Sequence, residues 1–257
     1  MIGKFRRFIQ RKLDQSSLEK WDDEIELAKD LDPDKLRRLR GRARQLQKRV
    51  NQVIHIADGR LAMPRDGADT IRKPQRADWA FRPEIWSGPI SPHGALATGN
   101  QTKFGGASTL FHDCPLSELT LRQVRNNRQN DLAPFGLRLD VFGFTGSFLS
   151  LALDLPQDGL KGLRRNHILR LDTDIEAEKP IVIFARLNIK CGPNTEQIVR
   201  ELHIVNAPTA IEFDLANAGI NETRLDRAWL ELIFDRPSMT GIFLRDVTLT
   251  RRPRAEF

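Results

Sequence analysis

A chain of 257 residues with 40% hydrophobic content can bury a sizeable core, which excludes disorder throughout. It has no apolar run of the roughly eighteen residues a spanning helix needs, and its basic start, MIGKFRRFIQRKL, is not followed by the apolar core of a signal peptide. Two cysteines, Cys114 and Cys191, are too few for a disulfide framework, so a soluble, cytoplasmic protein is expected.

The net charge of +7 is uneven: the first sixty residues hold 16 Lys+Arg against 10 Asp+Glu, or +6, leaving +1 for the rest. Attraction to phosphates or anionic lipid therefore belongs to the N-terminal part. There Phe5, Phe8, Ile9 and Leu13 recur at helical spacing among Lys4, Arg6, Arg7, Arg11 and Lys12. A basic amphipathic helix of this kind suits an anionic membrane surface, making residues 1–13 a candidate peripheral anchor with Phe5, Arg6, Arg7, Phe8 and Arg11 as contacts. A docked terminal helix has the same pattern.

Ser17 can cap a helix with Leu18, Trp21, Ile25 and Ala28 on one stripe. Asp32 followed by Pro33 opens a second. Leu36, Leu39, Ala43, Leu46, Val50, Val53 and Ala57 then alternate at three and four, a coiled-coil-like seam. The two stripes predict a helical hairpin over residues 1–62, with residues 36–57 available to a partner helix or a second copy. The arginines of LRRLRGRARQLQKR lie mostly off the seam and read as a solvated face, and no helix-turn-helix, zinc finger or aromatic-laced basic motif points to nucleic acid.

From residue 63 to 106 the helical period disappears and prolines accumulate. The segment ADWAFRPEIWSGPISP carries Trp79 and Trp86, costly to expose, so an irregular strap packed on the main domain is expected; the sharper alternative makes the two indoles a stacking platform for a ligand.

Residues 107–257 hold ten short apolar alternations, from TLF and ELTLRQV through HILRLDTDIE to AWLELIF and IFLRDVTLTR. They predict an antiparallel β-sandwich of jelly-roll type with a short helix near 221–227, giving an α+β chain overall. The stretches ADWAFRPEIW, LFHDCPLSELTLRQVRN, LAPFGLRLDVF, GPNTEQIVREL and RRPRAEF resemble an uncharacterised family of alphaproteobacterial proteins, which implies an inherited layout and no particular chemistry. The closing WLELIF, turn and IFLRDVTL also resemble the galactose-binding-like jelly rolls of carbohydrate-binding modules, which implies that fold, and fold alone does not give function.

Side chains alternate across a strand, so Arg138 and Asp140 share a face, as do Arg170 with Asp172 and Arg186 with Asn188. If the three strands are neighbours, forked donors, carboxylates and an amide line one polar sheet face suited to neighbouring hydroxyls of a glycan. The bland reading is a set of cross-strand ion pairs in water. The sharpest short motif is DTDIEAE, whose Asp172, Asp174, Glu176 and Glu178 resemble the acidic E-x-D-x-E strand of jelly-roll glucanases with Asp172 in the first place. Successive members lie about 6.6 Å apart along a strand, and this resemblance implies Asp172, Asp174 and Glu176 as a catalytic set. His112 and Cys114 fall short of a zinc signature, and no phosphate-binding loop or dinucleotide fingerprint is present, so neither metal nor cofactor is expected. A non-catalytic glycan-binding module leads, with an interaction scaffold as its rival and a glycosidase third.

Overall fold

The structure, a computed structural model, describes residues 16–61, 71–96, 99–116, 118–204 and 207–254. The candidate anchor over residues 1–13 lies outside them. The chain forms two compact units, residues 1–55 and 56–257.

Helix α1 covers 16–27 in the first unit, and helix α2, Pro33–Leu61, has all but its last residues there. Asp32 caps α2 by accepting the Lys35 N–H at 3.1 Å, a bond that also draws its carboxyl below the usual range. Trp21, Ala28, Leu39 and Ala43 are half-buried, and Arg42 Nη1 lies 3.6 Å from Glu24 Oε1. Of the rest of the expected seam Ala57 is half-buried, whereas Leu36, Leu46, Val50 and Val53 are exposed, and so is Ile25 of the first stripe.

The second unit is a sandwich of two antiparallel sheets. All ten alternating runs form strands: β4 (Ser108–His112), β5 (Glu118–Arg125), β6 (Phe135–Gly143), β7 (Leu149–Asp154), β8 (His167–Ala177), β9 (Ile183–Cys191), β10 (Asn194–Leu202), β11 (Thr209–Asp214), β12 (Arg227–Phe234) and β13 (Thr240–Pro253). The strap is more regular than expected and adds β1 (Trp79–Phe81), β2 (Gly94–Leu96) and β3 (Gln101–Lys103). One sheet has the order β11-β8-β13-β6-β5-β2 with β1 also on β13; the other runs β10-β9-β12-β7-β4-β3. Leu139, Leu171, Leu187, Leu230, Phe213 and Leu249 are fully or almost fully buried in the core that these strands enclose.

The long strand β13 pairs with β8 along its length, with β6 through Thr240–Leu244 and with β1 through Leu249–Arg251. A register shift between Leu244 and Asp246 interrupts the ladder. Such a bulge lets two consecutive side chains, here Arg245 and Asp246, reach the same side.

The strap is fastened by buried polar groups, one of its own and one from β5. Trp86 is fully buried and donates its indole N–H to the Leu244 carbonyl at 2.9 Å. Gln123 Nε2 donates to Ile85 O and Gly88 O at 2.6 and 2.7 Å, while its Oε1 accepts the Ile90 N–H at 3.0 Å. The helix expected near 221–227 is a turn, because Asn221 Oδ1 accepts from the Thr223 N–H and hydroxyl at 3.1 and 2.7 Å and offers the backbone an alternative to helix. Single-turn helices occur instead at α3 (Glu84–Ser87) and α4 (Gln157–Leu160). Among the described residues no helix is long and apolar enough to cross a membrane.

Candidate functional site

Alternation on β6 and β8 turns Leu137, Leu139, Leu171 and Ile175 into the core and leaves Arg138, Asp140, Arg170, Asp172, Asp174 and Glu176 on the outer face of the β8–β13–β6 sheet. The bulge on β13 adds Arg245 and Asp246 to that face. Two depressions result.

The smaller, about 200 Å³, is lined by Arg170, Asp172, Asp174, Asp246 and Thr248 with Thr209 from β11. Arg170 grips Asp172 through three hydrogen bonds, Nε to Oδ1 and Oδ2 at 3.1 and 3.0 Å and Nη2 to Oδ1 at 3.0 Å. Asp246 accepts a forked pair from Arg82, while burial pushes its carboxyl above the usual range. Asp174 is different: its Oδ1 is buried without a hydrogen-bond partner. Burial first, and the charge of Glu176 second, raise its pKa, so the protonated form is favoured more than in an ordinary aspartate.

The larger depression, about 590 Å³, is lined by Arg122, Arg125, Arg128, Arg138, Arg245 and Phe243, with Glu176 and Glu178 among them. Arg138 bridges two acids, Nε to Asp140 Oδ1 at 2.7 Å and Nη2 to Glu178 Oε1 at 2.8 Å. Glu176 accepts from Arg245 at 2.6 and 3.2 Å and also pairs with Arg128. The Arg245 guanidinium lies 4.3 Å from the centre of the Phe243 ring, within cation–π range.

Four expected ligand residues, Arg138, Asp140, Arg170 and Asp172, thus share this face. Arg186 and Asn188 do not, because β9 belongs to the opposite sheet although it follows β8 in the chain. Arg186 pairs with Glu231, which also accepts the Trp229 indole N–H at 2.8 Å. Asn188 is fully buried, donating to Arg186 O at 3.2 Å and accepting from Gln197 Nε2 at 3.0 Å. The tryptophan platform also fails: Trp86 is inside, and Trp79 packs on the core with its ring 5.8 Å from Phe81. Phe243 is the aromatic side chain that lines the larger depression, hidden in sequence because it looks like one more core residue of IFLRDVTL, while the exposed Phe142 shares the outer face with Arg138 and Asp140 on β6. Arg245–Asp246, two charges side by side inside an alternating run, was the legible trace of the bulge.

Glycoside hydrolysis needs one carboxyl as acid and another as nucleophile or base. Asp174 has the raised pKa of an acid, whereas Asp172 and Glu176 are each held in guanidinium forks. Among the described residues no cluster of three or more His, Cys, Asp or Glu side chains is placed to hold a metal ion. Asp113, beside the unpromising His112 and Cys114, is committed to a turn: the Ser147 hydroxyl, then the Phe148 and Ser147 N–H groups, lower its pKa to about 2.

Solved structures with a similar strand arrangement include a family 11 carbohydrate-binding module from Clostridium thermocellum, in complex with a β-1,3-1,4-mixed-linked tetrasaccharide: 11% identity, TM-score 0.40, covering 65% of this chain and 100% of that one. The xylan-binding domain CBM22-1 from Paenibacillus barcinonensis has 9% identity and a TM-score of 0.37 over 72% of this chain and 100% of that one. A tailspike enzymatic domain of bacteriophage CBA120 has 9% identity and a TM-score of 0.40, covering 56% of this chain and 19% of the tailspike chain. No curated protein matches the sequence. The family of unknown function DUF6478 matches residues 1–257 from end to end, and the chain belongs to that family.

Proposed function

We propose that the protein is a non-catalytic binding module that holds a glycan or glycan-like molecule on the outer face of the β8–β13–β6 sheet. The reading is carried by that face itself: two neighbouring depressions in which guanidinium donors, carboxylate acceptors and hydroxyls are interleaved. A saccharide presents hydroxyls that both donate and accept, and an interleaved surface engages both functions. The ion pairs that hold the face in register also fix its geometry before a ligand arrives, which limits the ordering cost of binding. In the cytoplasmic setting expected from two free, buried cysteines, the natural ligand is a saccharide intermediate.

The test is an array of oligosaccharides probed with the full-length chain and with its Arg170→Ala, Asp172→Ala variant. Specific binding by the wild type that falls at least tenfold in the variant is expected. No saccharide bound by the wild type overturns the reading and favours an interaction scaffold. That second reading has its own observation, the open apolar seam of Leu36, Leu46, Val50 and Val53 on α2, which suits a partner helix or a second copy. Contact of residues 1–13 with an anionic membrane is a separate proposal, tested by liposome binding with and without them.

A further inference from the structure

We propose that the ligand is anionic, a glycan carrying a carboxylate or sulfate, and that the larger depression around Arg122 and Arg125 receives its charge. This inference rests on the glycan-binding reading and adds the chemical class of the sugar.

The five arginines of this depression are not equally committed. Arg138 is held between Asp140 and Glu178, and Arg245 and Arg128 are held by Glu176. Arg245 Nη1 also lies 3.5 Å from Asp131 Oδ2. These three form a braced floor. Arg122 has a weaker tie: its Nη2 is 3.7 Å from Asp140 Oδ2, whose carboxylate is already engaged by Arg138, and its side chain is 57% exposed. Arg125 has no ion-pair partner among the described residues, and its place at the end of β5 leaves it exposed on the rim.

The charge is unevenly matched. Asp131, Asp140, Glu176 and Glu178, with Asp174 near Arg128 and Arg245, are engaged by the braced arginines, so the least neutralised charge sits on Arg122 and Arg125, the two least restrained side chains. Each guanidinium has five N–H donors and no acceptor, so most donors of Arg122 and Arg125 are open to an oxyanion, which a planar fork binds through two parallel hydrogen bonds. The approximately 590 Å³ volume falls within the roughly 300–1,000 Å³ range of ligand pockets, whereas the neighbouring carboxylate-lined depression, at about 200 Å³, falls below it. An anion also avoids that acidic neighbour, which orients an extended ligand with its charged unit over β5 and its neutral units toward β8. The half-buried Phe243 ring supplies an apolar patch in the depression.

The probes are trigalacturonic acid and its fully methyl-esterified form, which keep the same rings and differ in charge, with a panel of sulfated oligosaccharides alongside. Calorimetric titration of the full-length chain at low salt is expected to give at least tenfold tighter binding of an acidic saccharide than of its neutral counterpart. Added salt should erode that preference, and the Arg122→Gln, Arg125→Gln variant, which alters exposed side chains only, should abolish it. Equal binding of acidic and neutral forms, unaffected by the double variant, overturns the anionic assignment and leaves glycan binding standing. Failure of both acidic and neutral saccharides to bind overturns glycan binding and the assignment together.

Discussion

Arg82 and Asp246 meet as a fork on a fork, Nε to Oδ1 at 2.9 Å and Nη2 to Oδ2 at 2.8 Å, with side chains 2% and 14% exposed. The pair clamps the residue after β1 to the bulge of β13. Removing one partner of a buried pair leaves an uncompensated charge, so Arg82→Met is expected to cost roughly 3–5 kcal/mol in urea denaturation. Adding Asp246→Asn should recover part of that loss. A cost below about 1 kcal/mol would mean that water already serves the carboxylate.

Gly136 on β6 lies against the floor of the larger depression. A Cβ there would sit 2.6 Å from Phe243 Cε2, 2.9 Å from Asn126 Oδ1 and 3.0 Å from the Leu244 carbonyl oxygen. Asn126 has little room to yield, since its Nδ2 donates to the carbonyls of Ala133, Phe135 and Arg245 at 2.9, 3.0 and 2.8 Å. Gly136→Ala is therefore expected to destabilise by roughly 1–3 kcal/mol in denaturant titration and to displace Phe243. Unchanged stability would show that the ring swings clear at no cost.

Asp174 gives a pH signature. Its ordinary value is 3.8 and the fold raises it, so the folded chain holds this proton more tightly than the unfolded chain does. The contribution to stability is fully present below pH 3.8 and is lost as pH rises through the raised folded value. Asp174→Asn is expected to raise the Tm at pH 7, with the gain vanishing in acid below the unfolded value. A variant less stable than wild type at pH 7 would contradict this and reveal a partner for the charged form.

The open seam on α2 is tested by Leu46→Lys with Val50→Lys. Both side chains are exposed, so the cost to the folded chain should stay within about 0.5 kcal/mol. Sedimentation of the wild type is expected to show an assembly that the variant lacks. A monomeric wild type at high concentration would end the self-association reading.

The local pattern of the sandwich was legible because alternation is local. Leu137, Leu139 and Val141 against Arg138 and Asp140 require no knowledge of any other strand, and all ten alternating runs form strands. Which runs share a sheet is not local. Arg170 and Arg186 look alike in sequence, yet one faces a depression of the β8 sheet and the other meets Glu231 on the opposite sheet. The strands of the strap, three residues each, are too short to display a period of two. Arg82 was invisible for a further reason: nothing near it in sequence announces a partner 164 residues away.

β13 lies between β8 on one side and β6 and β1 on the other, and it follows all three in the sequence. A ribosome delivers it after both halves of its sheet have been made, so until then β6 and β8 have no common neighbour and present bare edges that invite wrong pairing. Closure of this sheet, and with it the burial of the Trp86 indole against Leu244, is consequently a late event in biogenesis. The proposed ligand face, divided between β6 and β8, comes into existence only at that moment.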